Sequence, residues 1–171
     1  MGLFDSFHVS RSIATVLAGR SASAEVVSAV ARLRGVGRRA LPKIIQALPD
    51  DPPGEPLTSL VAELATTATL PTIVDVGLMN QDPQVVAKVR RALARGTKYD
   101  PNRLIELYRA AGGALVNLAD VIVARKEAIT PKSVLRILDC AHRDNQPTLF
   151  KLVTELATEA MVPTLIAFSR N

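Results

Sequence analysis

The sequence has no tryptophan, one cysteine, two histidines, four phenylalanines and two tyrosines. Each shortage excludes something. The single cysteine, Cys140, cannot close an internal disulfide, which argues against the stapled folds of small secreted proteins and fits a reducing, cytoplasmic setting. No apolar stretch approaches the roughly 20 residues of a membrane span. The first residues lack the basic, long apolar and small-residue pattern of a signal peptide. No P-loop, GxSxG turn, HExxH pair or EF-hand loop occurs, so the sequence names no catalytic residue, cofactor or metal ligand. Cys140 and His142 lie close in sequence, but no further Cys or His falls in the region that carries the periodic pattern, so we read an inert thiol beside a solvated histidine.

What remains is aliphatic. Hydrophobic residues make up 48% of the 171 and aromatics only 4%, so the apolar mass is Ala, Leu, Val and Ile. That mix suits closely packed helices, and the length fits one domain, 1–171, with room for a core. The net charge is 21 − 16 = +5. Residues 1–50 hold seven basic and three acidic groups, an excess centred on Arg32, Arg34, Arg38, Arg39 and Lys43. A bias of this size permits an acidic protein or a nucleic acid as partner and requires neither.

Internal repetition decides the architecture. Residues 60–73, LVAELATTATLPTI, match residues 152–165, LVTELATEAMVPTL, at nine of fourteen positions with an offset of 92. Prolines 42, 71, 101, 131 and 163 are spaced by 29, 30, 30 and 32, so the offset is three periods of about 31. Each proline precedes a short apolar helical pattern, and proline suits a helix's first turn, where its missing N–H costs nothing. Upstream of each proline, apolar residues recur at helical spacing: Val26/Ala29/Leu33, Leu57/Leu60/Leu64, Val86/Val89/Leu93, Val116/Ala119/Val123 and Leu149/Leu152/Leu156. The second helices align at Ile45, Val74, Ile105, Leu135 and Ile166. The expected repeats are 22–51, 52–81, 82–112, 113–144 and 145–171. Residues 1–21 form an N-terminal cap, with a short helix from Ser10 to Leu17 turning Ile13, Val16 and Leu17 inward. Two linkers punctuate the pattern, Asp50–Pro56 and Ala111–Gly113.

Two helices per period of about 30 residues, with proline opening the second, resemble the HEAT-repeat family in its shorter variety, also found in phycobilin-lyase-type proteins. The resemblance covers about 22–171. It implies an all-α, right-handed alpha solenoid of five helix pairs. Asp-Pro opening the first helix, frequent in the family, occurs cleanly only at Asp82-Pro83. Enzymes on related folds are a remote alternative. A lyase would require a chromophore pocket, and a DNA glycosylase of this kind would use tryptophans, which the chain lacks.

A non-catalytic protein-interaction scaffold is therefore the expected function. Its partner would lie along the face lined by the second helices. The exposed ladder there is Lys43, Thr72, Arg103, Ser133 and Thr164, flanked by Gln46, Asp75, Glu106, Arg136 and Ala167. The partner-binding set is Lys43, Gln46, Asp75, Arg103, Glu106 and Arg136, whose mixed charge favours protein over a phosphate backbone. The alternative is nucleic-acid binding through basic inter-helix turns, at Arg34, Arg38, Arg39, Arg95 and Lys98, with Arg32, Arg91, Arg125 and Lys126 nearby. Cations at helix C-termini also complement the helix dipole, which explains them without a ligand. Met1-Gly2 through Ser6 matches the short myristoylation pattern, but the Ala-rich, Arg-over-Lys composition looks bacterial. Packing of Phe4 and Phe7 on the first helix pair is the simpler reading. The last repeat carries a wide apolar stripe, so the C-terminal end is expected to contact a second copy, another subunit or further repeats of a longer chain.

Overall fold

The computed structural model describes residues 3–19, 23–111, 115–140 and 146–169. Among them the structure is all-helical, with eleven α-helices and no strand. One isolated parallel bridge joins Thr66 to Lys98. The chain divides into two compact units, Met1–Tyr99 and Asp100–Asn171.

In the N-terminal unit the helices are α1 (Leu3–Ala18), α2 (Ala24–Val36), α3 (Leu41–Gln46), α4 (Pro56–Leu64), α5 (Leu70–Ile73) and α6 (Pro83–Arg95). Local chemistry sets their ends. Ser23 Oγ accepts from the Val26 amide at 3.3 Å and opens α2, as a short hydroxyl side chain does at an N-cap. Gly37, at φ +62°, closes α2 and returns its N–H to Leu33 O. Asp82 Oδ1 accepts from the Gln84 amide at 2.8 Å, and Pro83 fills the first position of α6. Beyond α5 the chain continues through a wider turn at Val74–Leu78, closed by the Met79 amide on Val74 O at 3.2 Å.

Four of these helices pack in succession, α1 on α2, α2 on α4 and α4 on α6. The second elements follow beside them: α3 packs on α1, α4 and α5, and the 74–78 turn packs on α3 and α6. The core between them holds Val26, Ala29, Leu33, Ile44, Ile45, Leu57, Leu60, Ile73, Val89 and Leu93. Each buried Leu, Ile or Val contributes about 1.5–3 kcal/mol of hydrophobic stabilisation.

The C-terminal unit contains α7 (Asn102–Ala110), α8 (Val116–Ala124), α9 (Pro131–Leu135), α10 (Gln146–Leu156) and α11 (Val162–Ser169). Here α7 packs on α8 and α9, α8 on α10, and α9 on α10. Its core is Leu104, Ile105, Tyr108, Leu118, Ile122, Val134, Ile137, Leu149, Leu152 and Met161.

The periodic prolines stand where the missing N–H costs least. Pro42, Pro71, Pro131 and Pro163 occupy the first or second position of α3, α5, α9 and α11, and Pro101 is the residue before α7. Several side-chain expectations need correction. Helix α1 starts well before Ser10. It buries Val9, Ile13 and Val16 while leaving Leu17 half-exposed and Phe7 fully on the surface. Phe7 lies two residues before Val9, about 200° around the helix from that face, so it does not pack on the first pair. In α8 the core residues are Leu118, Ala119, Val121 and Ile122, and Val116 is exposed. That helix is apolar on most sides, so its pattern does not select one register. Met1, Gly2, Gly112, Gly113, His142 and the side chains of Phe4 and Cys140 lie outside the described residues.

Candidate interaction surfaces

The predicted ladder divides into residues already engaged and residues that face solvent. Lys43, on α3, is half-buried under α1. Its ammonium donates to Ser6 O at 3.0 Å, Ser6 Oγ at 2.6 Å and Ser10 Oγ at 2.8 Å. Three donors meet three acceptors, so Lys43 holds the N-terminal helix in place. Gln46 and Asp75 are exposed in the same unit. In the C-terminal unit Arg103 is paired with Glu106 one turn later, both half-buried, and Arg136 is exposed. Thr164 and Ala167 are exposed, while Ser133 shares a 2.9 Å hydrogen bond with Thr130.

Two of the five basic-turn residues are bonded to glutamates. Arg34 donates to both Glu63 oxygens, at 2.7 and 3.1 Å. That bond and the carboxylate charge push its guanidinium further above its ordinary range. Glu55 receives Arg91 at 2.5 Å and Arg95 at 3.5 Å. Arg38, Arg39 and Lys98 are exposed.

The Arg34–Glu63 bridge has a counterpart in the second unit, where Lys126 lies 3.8 Å from Glu155. Both partners are displaced by 92 residues, so the sequence match extends to a repeated ion pair. The shared glutamate in the two matching segments was its signal. Asp120 in α8 likewise accepts from Lys151 in α10 at 2.6 Å.

Sequence reasoning passed over Asp51 inside the Asp50–Pro56 linker. Its buried carboxylate accepts the Leu57 amide at 3.0 Å and the Thr58 amide and hydroxyl at 2.8 Å each. These are the unpaired donors at the start of α4. Lys88, reaching from α6, caps the other side of the linker by donating to Leu48 O at 2.7 Å, with Asp51 O at 3.3 Å.

A groove between α1 and α2 was also missed. Two adjoining hollows of about 490 and 730 Å³ share His8, Ser12 and Arg32. Arg39, Gly35 and Val36 line the first, and Arg11, Thr15, Glu25 and Ser28 the second. The signal in the sequence was a polar stripe at helical spacing, His8/Arg11/Thr15 on one helix and Glu25/Ser28/Arg32 on the next.

The apolar counterpart is on α10 and α11. Phe150 is 67% exposed on α10, and Val162 and Ile166 are 47% and 46% exposed on α11. The side chain of Phe168 lies outside the described residues. Among the described residues no group of three or more His, Cys, Asp or Glu stands close enough to hold a metal ion, and no helix is long and apolar enough to cross a membrane. No family model, no curated protein and no solved structure matches the chain.

Proposed function

We propose that the chain is a right-handed, HEAT-like alpha solenoid of five helix pairs that works as a non-catalytic protein-interaction scaffold in the cytoplasm. The order of packing within each unit supports the repeat reading: first helices follow one another, and second helices line up beside them. The partner lies along the second helices of each unit, with Gln46 and Asp75 as exposed polar positions in the N-terminal unit and Arg136 and Thr164 in the C-terminal unit. Lys43 in the N-terminal unit, and Arg103 and Glu106 in the C-terminal unit, are already engaged by internal bonds.

One observation carries the reading. The fifth repeat exposes residues whose equivalents 92 positions earlier are core. Leu70 and Val74 are 0% and 4% exposed, whereas Val162 and Ile166 are 47% and 46% exposed. In the N-terminal unit α6 packs on α4 and on the 74–78 turn, offering Val85, Val89, Ala92 and Leu93. The open face of α10 and α11 therefore takes an amphipathic helix of a partner protein, laid on it as α6 lies on α4. Nucleic acid ranks second, because Glu63 and Glu55 already satisfy Arg34 and Arg95.

The test uses a helix-stabilised peptide with the sequence of residues 83–95 as the probe, titrated into the intact chain by fluorescence anisotropy with sedimentation run alongside. Saturable binding that Ile166→Glu abolishes, while circular dichroism stays unchanged, supports the proposal. No binding, or binding indifferent to Ile166→Glu, overturns it. A dimer that the peptide does not dissociate assigns the face to a second copy and overturns the partner-helix reading.

A further inference from the structure

The α1–α2 groove is lined by three arginines, Arg11, Arg32 and Arg39. Elsewhere in the protein Arg34, Arg91, Arg95, Arg103, Lys126 and Lys151 each reach a carboxylate. Arg11 and Arg32 are exposed beside the groove, and neither guanidinium meets a carboxylate among the described residues. Between them Ser12 is only 5% exposed, lines both hollows, and its hydroxyl has no hydrogen-bond partner among the described residues. That hydroxyl reaches the solvent of the groove, where a ligand can bond it. The floor beneath is apolar, formed by Val9 and Leu33. On the same helix Phe7 is exposed, with its ring edge-on to His8 at 6.2 Å.

We propose that this groove is a docking site for an acidic segment of a partner protein, one that carries carboxylates for Arg11 and Arg32 and an apolar side chain for the floor of Val9 and Leu33. Guanidinium forks match carboxylates in geometry as well as charge, and Ser12 supplies a hydroxyl to the same ligand. The groove runs along two helices, a length suited to several residues of extended chain rather than one small anion. A nucleic acid is disfavoured by Glu25 in the wall and by the neutralised arginines beyond it, which break any continuous basic track. The site is separate from the apolar end of α10 and α11, and does not depend on it.

A display library of random 12-residue peptides, selected on the intact chain at low salt, tests this directly. The peptides selected are expected to be rich in Asp and Glu with at least one large apolar residue. The best of them, labelled for anisotropy, weakens roughly tenfold or more against Arg11→Glu/Arg32→Glu, and weakens with added salt. Gly35→Gln is a second blocking variant. An added Cβ there meets nothing within 4 Å, so the neutral side chain fills the first hollow without placing a carboxylate one turn from Arg32. Peptides without acidic bias, no enrichment, equal binding to both variants, or displacement of the peptide by a generic single- or double-stranded oligonucleotide would each overturn the proposal.

Discussion

Replacing Asp51 with alanine removes one carboxylate and orphans three donors at once: the Leu57 amide, the Thr58 amide and the Thr58 hydroxyl, at 2.8–3.0 Å. Loss of a helix N-cap costs about 0.5–2 kcal/mol, and a buried donor left without a partner costs about 1–3 kcal/mol. Thr58 is fully buried, so water does not easily replace what is lost there. Leu57 is also buried, but relaxation of the linker recovers part of its bond. The net expectation is a loss of about 2–4 kcal/mol, a large share of a typical domain's stability. With a urea slope near 2 kcal/mol per molar, the unfolding midpoint falls by about 1–2 M. The chain has no tryptophan, so helix content at 222 nm is the signal to follow. Neighbouring Asp50 is exposed and provides the control, since Asp50→Ala should stay within about 0.5 kcal/mol of wild type. Thr58→Val, which removes only the hydroxyl, should cost about 1 kcal/mol. If Asp51→Ala unfolds within 0.5 kcal/mol of wild type, the linker does not hang on this carboxylate and the capping argument is wrong.

Other perturbations separate packing from surface charge. Gly77→Ala places a Cβ 2.7 Å from Val89 Cγ2; the turn after α5 must shift, at about 1–3 kcal/mol in thermal or urea unfolding. Gly35→Ala, in open space on α2, should be neutral or stabilise by up to about 1 kcal/mol through helix propensity. A double-mutant cycle on Arg34 and Glu63, both about half exposed, should give a coupling of about 0.2–1 kcal/mol that fades at 1 M salt. The raised Arg34 value belongs to the alkaline side: its stabilisation is present below the unfolded value and lost only above the folded one, so this arginine adds no pH dependence near neutrality.

The helix starts were readable because proline leaves a strong local mark. Every periodic proline reports a helix start regardless of what packs around it, and all five sit in or beside a first turn. Core residues were readable where one face alone is apolar, as in Val26/Ala29/Leu33 and Leu149/Leu152/Leu156. They were not in α8, where VNLADVIVA offers several faces and tertiary packing chooses among them. Surface chemistry was harder, because a charge is settled by neighbours far along the chain. Lys43 looked free until α1 placed Ser6 and Ser10 over it, and Arg95 looked free until Glu55 swung toward α6 from a left-handed backbone at φ 49°. Arg32, by contrast, was grouped with the other turn arginines, yet it faces a groove that exists only once α1 lies beside α2.

Hydroxyl-radical footprinting of the intact chain at low concentration tests the central claim most directly, because it compares repeat two with repeat five inside one molecule. Val162, Ile166 and Phe150 should be oxidised at rates expected of exposed side chains, while Leu70 and Val74 stay protected. Addition of the residue 83–95 peptide should then protect Val162 and Ile166 and leave Leu70 and Val74 unchanged. If Val162 and Ile166 are as slow to react as Leu70 and Val74 in the chain alone, the last repeat has no open face and the scaffold reading loses the observation that carries it.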